Sequence, residues 1–122
     1  MNADDEARIS NATRGTVIAT RARFARERAE RRRGLLDRDS IDPGEALVFP
    51  RCRQVHMFGM KFPIDVLFLD REGRAARCVR ELAPGRLSPW VRRARTAIEL
   101  PAGTLEATRT DEGDAIEIGL PS

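Results

Sequence analysis

One short stretch of the chain, from Cys52 to Asp65, places a thiol, an imidazole, two thioethers and a carboxylate close together: Cys52, His56, Met57, Met60 and Asp65. Thiolate, imidazole and thioether are soft ligands, and such a set can hold Cu(I). The same residues also fit a core. Phe58, Phe62 and Ile64 surround them, and methionine commonly fills irregular apolar gaps. On an extended chain His56 and Met60 lie far apart, so Gly59 must fold the backbone before they can converge. The core reading is favoured and no metal is expected. Cys52 and His56 can also form a nucleophile–base pair, with Asp65 orienting the ring. That chemistry further needs an oxyanion site, and no local nucleophile signature surrounds Cys52. No catalytic residue is assigned.

Asp65 stands between Ile64 and Val66 in a strand-like run otherwise free of charge. A carboxylate buried there must be hydrogen-bonded or paired, because burying it alone is costly. The bends at Gly59 and Pro63 leave N–H groups without ladder partners. Asp65 is expected to hold the backbone around Phe58–Pro63. Trp90, the only tryptophan, lies in a loop bounded by proline and glycine and is expected to lid the core. Glu99, between Ile98 and Leu100, should face solvent or an arginine. Candidate ligand-binding residues are therefore His56, Met57, Met60, Asp65 and Trp90. Two cysteines, Cys52 and Cys78, are too few for a disulfide framework or a zinc site.

Several short strands must position these groups. Residues 1–14 are polar and expected to be a frayed, flexible segment, with one globular domain over 15–122. Thr16–Thr20 reads as a first strand. The arginine-rich segment 21–33 follows; Ala22, Ala25, Ala29 and Leu36 fall at helical spacing, which predicts a helix ending near Gly34. Asp42-Pro43-Gly44 is a turn into the short strand Ala46–Phe49. Cys52–Met57 continues as an extended piece. Ile64–Leu69 is the clearest strand, and Asp70–Gly73 turns it into an antiparallel return over Ala75–Leu82. Strands over 97–100 and 115–118 flank a helical turn or two between Thr104 and Thr110. Strands of this length and punctuation predict a mainly β, compact sandwich or barrel-like single domain with one or two short helices.

The phrases Arg33-Gly34-Leu35-Leu36 and Pro50-x-Cys52-x-x-Val55-His56-Met57-Phe58-Gly59-Met60-Lys61-Phe62-Pro63-Ile64-Asp65 carry a resemblance. They continue through Val66–Asp70, Ile98-Glu99-Leu100-Pro101-Ala102-Gly103 and Gly113-Asp114. Their order resembles domain-of-unknown-function family 192, a bacterial and archaeal family, over roughly residues 14–118. The resemblance implies a compact, mainly β fold related to sandwiches and no established activity. Many relatives have threonine where this chain has Met57. Relatives also occur with export signals, and none is seen here.

Charge and hydropathy narrow the function classes. The net charge is +3; of the 22 basic residues all but Lys61 are arginine. The basic excess is concentrated in residues 21–33, with Glu27 and Glu30 among seven arginines, and the rest is nearly neutral. Only Phe24 is aromatic there, so no specific nucleic-acid binding is expected, and at most weak, salt-sensitive binding. No apolar run approaches the roughly 18 residues of a membrane span. The start, MNADDEARIS, has neither a signal-peptide core nor a transit-peptide composition, so the expected location is cytoplasmic. The reading is a non-enzymatic binding or accessory module without cofactor, its surface around the VHMFGMKFPID motif and its partner a protein or small ligand. The alternatives are a small enzyme or small-ligand or carbohydrate site using His56 and Asp65, and an arginine-mediated contact with an acidic partner.

Overall fold

A computed structural model describes residues 6–25 and 35–119. The strands are β1 (Ala7–Asn11), β2 (Thr16–Phe24), β3 (Glu45–Pro50), β4 (Ile64–Leu69), β5 (Ala75–Leu82), β6 (Thr96–Pro101) and β7 (Ile116–Gly119), with the short helix α1 (Thr104–Ala107) after β6. They form one sheet in the order β5-β4-β6-β3-β2-β1-β7, curled into a half-barrel. β2 and β3 run parallel; the other pairings are antiparallel.

β4 shows why the sheet takes this form. Its side chains alternate between two apolar layers, as the two-residue period of a strand requires. Ile64, Val66 and Phe68 join Phe49, Val55, Met57 and Met60 in one layer. Leu67 and Leu69 join Ile9, Val48, Ile98 and Leu100 in the other. A strand buried on both faces needs a continuous apolar run, which IDVLFL supplies apart from Asp65. β4 pairs antiparallel with β5 through the Asp70–Gly73 turn, as its sequence predicts. In that turn Asp70 Oδ1 accepts the N–H groups of Glu72 and Arg74, and Gly73 takes the positive φ of 80°.

Three expectations are corrected. Residues 7–11 form the paired strand β1 rather than part of a frayed start over 1–14, because Ala7 and Ile9 reach the second layer while β2 and β7 satisfy the backbone on either side. Arg21–Phe24 extends β2 instead of opening a helix. Alanine 22 fits a two-residue period as well as a helical one, and parallel pairing with Glu45–Val48 decides between them. The remainder of that predicted helix, 26–34, lies outside the described residues. Glu99 is buried rather than solvent-facing, with Leu47 and Val66 as its cross-strand neighbours.

Candidate functional site

Asp65 is fully buried, and its partners differ from those expected. Oδ1 accepts the Glu81 N–H at 2.9 Å and Oδ2 the Leu105 N–H at 2.8 Å. Glu81 sits at φ 51°, where the β4–β5 register shifts, and Leu105 lies in the first turn of α1. The N-cap of α1 is Gly103, which has no side chain to offer. The carboxylate therefore clasps a bulge and caps a helix. Both bonds lead away from Phe58–Pro63, the segment it was expected to hold.

Met57 and Met60 are buried in the first layer. A turn joins them, with Met60 N–H donating to Met57 O at 3.2 Å and Gly59 at φ 83°. Both thioethers thus point into the core, while Phe58 at the tip of the turn is 54% exposed. Cys52 is buried nearby and donates to Gln54 O. Among the described residues no three His, Cys, Asp or Glu side chains converge as metal ligands.

His56 and Trp90 both lie outward, on a feature the sequence does not announce. Residues 53–57 run against 85–91 as an irregular two-stranded ribbon. Met57 N–H donates to Arg86 O, Ser88 N–H to Val55 O and Val91 N–H to Arg53 O, each at 2.8 Å. Val55 N–H donates to Ser88 Oγ at 2.9 Å. The expected extended piece at Cys52–Met57 is this ribbon, whose bridge is His56 to Leu87. One face turns Val55, Met57, Ser88 and Val91 inward; the other presents His56, Leu87 and Trp90. Leu87 is 55% and Trp90 65% exposed, so Trp90 is not the lid expected of it. Val91, one residue on, fills the core instead. The His56 and Phe58 rings stack with centroids 5.0 Å apart.

Beside Trp90 begins a basic groove. Arg77, Arg92 and Arg93 line a cleft of about 560 Å³ with the indole. Arg92 and Arg93 also border a second cleft of about 250 Å³, with Arg53, Arg71, Arg95 and the carboxylates Asp70 and Glu72. Arg71 and Arg95 continue into a third, of about 500 Å³, which adds Arg51. Shared lining makes the three adjoin, so the surface is elongated rather than a closed pocket. Its seven arginines are exposed, and none forms an ion pair with a described carboxylate. They come from four separate stretches, 51–53, 71, 77 and 92–95. Only the local densities Arg51-x-Arg53 and Arg92-Arg93-x-Arg95 signal them in sequence.

Two other polar groups are held within the fold, Asp114 and Cys78. Asp114 accepts bonds from Asn11 Nδ2, Arg14 Nε and Asp111 N–H at 3.0, 3.1 and 2.9 Å. Burial alone would raise its pKa; these donors outweigh burial and hold it below the ordinary value. The Cys78 thiol is pushed up to about 12, first by burial and then by the neighbouring Glu112 carboxylate. A thiol held protonated in this way is a poor nucleophile.

The model of DUF192, described as an uncharacterized ACR, matches residues 9–118. The chain belongs to this family. Among curated proteins no relative matches. Two solved structures resemble the DUF192 chain in fold. A protein of unknown function from Novosphingobium aromaticivorans is 22% identical, with a TM-score of 0.76, covering 92% of this chain and 83% of that one. A protein described as a "putative transcription regulator" from Sinorhizobium meliloti is also 22% identical, with a TM-score of 0.77, covering 93% of this chain and 92% of that one. At this identity the likeness speaks for the fold alone. No helix among the described residues is long and apolar enough to cross a membrane.

Proposed function

We propose that this protein is a non-catalytic binding module that takes an anionic partner along the arginine groove and the adjoining ribbon face. The observation that carries the reading is the convergence of seven exposed arginines, unpaired with described carboxylates, beside an exposed tryptophan. Like charges gathered in clefts raise the local concentration of anions and steer them inward. An enzyme built on His56 and Asp65 finds less support, since one group is exposed and the other has both oxygens engaged by backbone N–H groups. The location we propose is the cytoplasm, where the thiols of Cys52 and Cys78 stay reduced. The test is retention on immobilised polyanions (heparin, polyglutamate, oligonucleotide) as salt is raised. We expect salt-sensitive retention that Arg92→Glu/Arg93→Glu removes. Elution at low salt from all three, indistinguishable from the double variant, would end the proposal.

A further inference from the structure

Resting on that reading, we infer that the partner is single-stranded nucleic acid, held through its phosphates by the arginine groove and through its bases by Trp90. Two features favour it over other polyanions. The indole shares its cleft with Arg77, Arg92 and Arg93, which places a stacking platform beside guanidinium groups. Every base has a π-face, and every link of the chain carries a phosphate, so a platform alternating with cations suits a single strand. Leu87 and the stacked His56–Phe58 pair extend the same outward face away from the groove. They give further bases an apolar surface that sulfated sugars and acidic peptides have no need of.

Duplex nucleic acid fits less well, because its bases are already stacked on one another and only its backbone meets the groove. The groove offers no amide with which to read adenine. Its lining contains no asparagine or glutamine, the residues that pair with adenine edges, and the amide of the nearby Gln54 donates to Ser88 O at 3.0 Å. Stacking on an indole is indifferent to base identity, so the binding inferred here is tolerant of sequence.

Trp90 is the only tryptophan and the chain has no tyrosine, so its emission reports this site alone. The experiment titrates the full chain with oligothymidylate of about 15 nucleotides, within the range of known single-strand site sizes. We expect saturable quenching of Trp90 at about 50 mM salt, weakening by tenfold or more at about 200 mM. Trp90→Ala should reduce oligonucleotide affinity by about tenfold, followed by a labelled strand, and heparin affinity by much less. Arg92→Glu/Arg93→Glu should reduce both. All three positions are exposed, and thermal melting checks that each variant folds.

Heparin binding without a single-strand preference, and with no effect of Trp90→Ala on the oligonucleotide, would overturn this inference and leave the anionic-partner reading standing. Equal affinity for a duplex, or for a lone mononucleotide, would overturn it as well. Failure of every polyanion to bind removes both.

Discussion

Asp65 shows how much a single buried carboxylate can organise. It satisfies one N–H on a bulge in β5 and another at the start of α1, two elements distant in sequence. Asparagine at this position keeps one acceptor and turns an NH₂ toward the second donor. Asp65→Asn should therefore cost about 2–3 kcal/mol, as expected for losing a charge-assisted bond and stranding a buried N–H. Urea denaturation measures it, and unchanged stability would contradict the clasp. Asp114 supports a prediction in pH. Its folded pKa lies below the unfolded value, so its contribution is complete above about pH 4 and is lost as pH falls through the folded value. Acid unfolding should be less steep below pH 4 in Asp114→Asn, which starts from lower stability at neutral pH.

At the scale of elements, the 53–57/85–91 ribbon sets out His56, Leu87 and Trp90 on its outward face. It is not a regular ladder, and one side-chain bond helps to hold it. Ser88 Oγ accepts the Val55 N–H and donates to Pro89 O at 3.0 Å. Ser88→Ala leaves a buried N–H without its acceptor, at about 1–3 kcal/mol. Hydrogen exchange should quicken first at Val55 and Met57 rather than in β4. Equal protection throughout would mean that other contacts hold the ribbon. The turn that ends the ribbon depends on glycine. At Gly59 a side chain meets both the positive φ and Leu36 Cδ2, 3.3 Å from the position of a Cβ. Gly59→Ala should cost about 1–2 kcal/mol, the usual strain of a non-glycine residue in that conformation.

Across the whole molecule, one sheet serves two apolar layers, and its strands contribute alternate residues to each. Neither layer can open while the other persists. Cys52 lies in the first layer and Cys78 in the second, so the two thiols report on them separately. Both should resist alkylation in the native protein and become reactive at the same urea concentration, as a two-state transition requires. Staggered exposure would divide the molecule into independent units. The same layering shapes the surface charge. Asp65, Glu99 and Asp114 are buried while the groove arginines are exposed, so the exterior is more basic than a net charge of +3 conveys.

Local patterns along the chain are enough to control some of these features. A continuous apolar run followed by Asp70–Gly73 and a second β-compatible run can close as a hairpin, and β4–β5 does. The burial of Asp65 and the paired methionines was legible in their apolar neighbours. The long motif around His56 marked the family before any fold was known. Tertiary structure decided the rest, because the controlling partners lie far along the chain. Strand β1 exists through its pairing with β7, more than a hundred residues away. Asp65 meets Leu105 rather than the nearby bends. Trp90 faces outward because the ribbon's alternation turns Val91 inward. The arginine groove is invisible to a count of charges, since its members lie in four stretches that only folding brings together. Guanidinium groups from those stretches meet in water, with Asp70 and Glu72 beside them, while Asp65, Glu99 and Asp114 are buried.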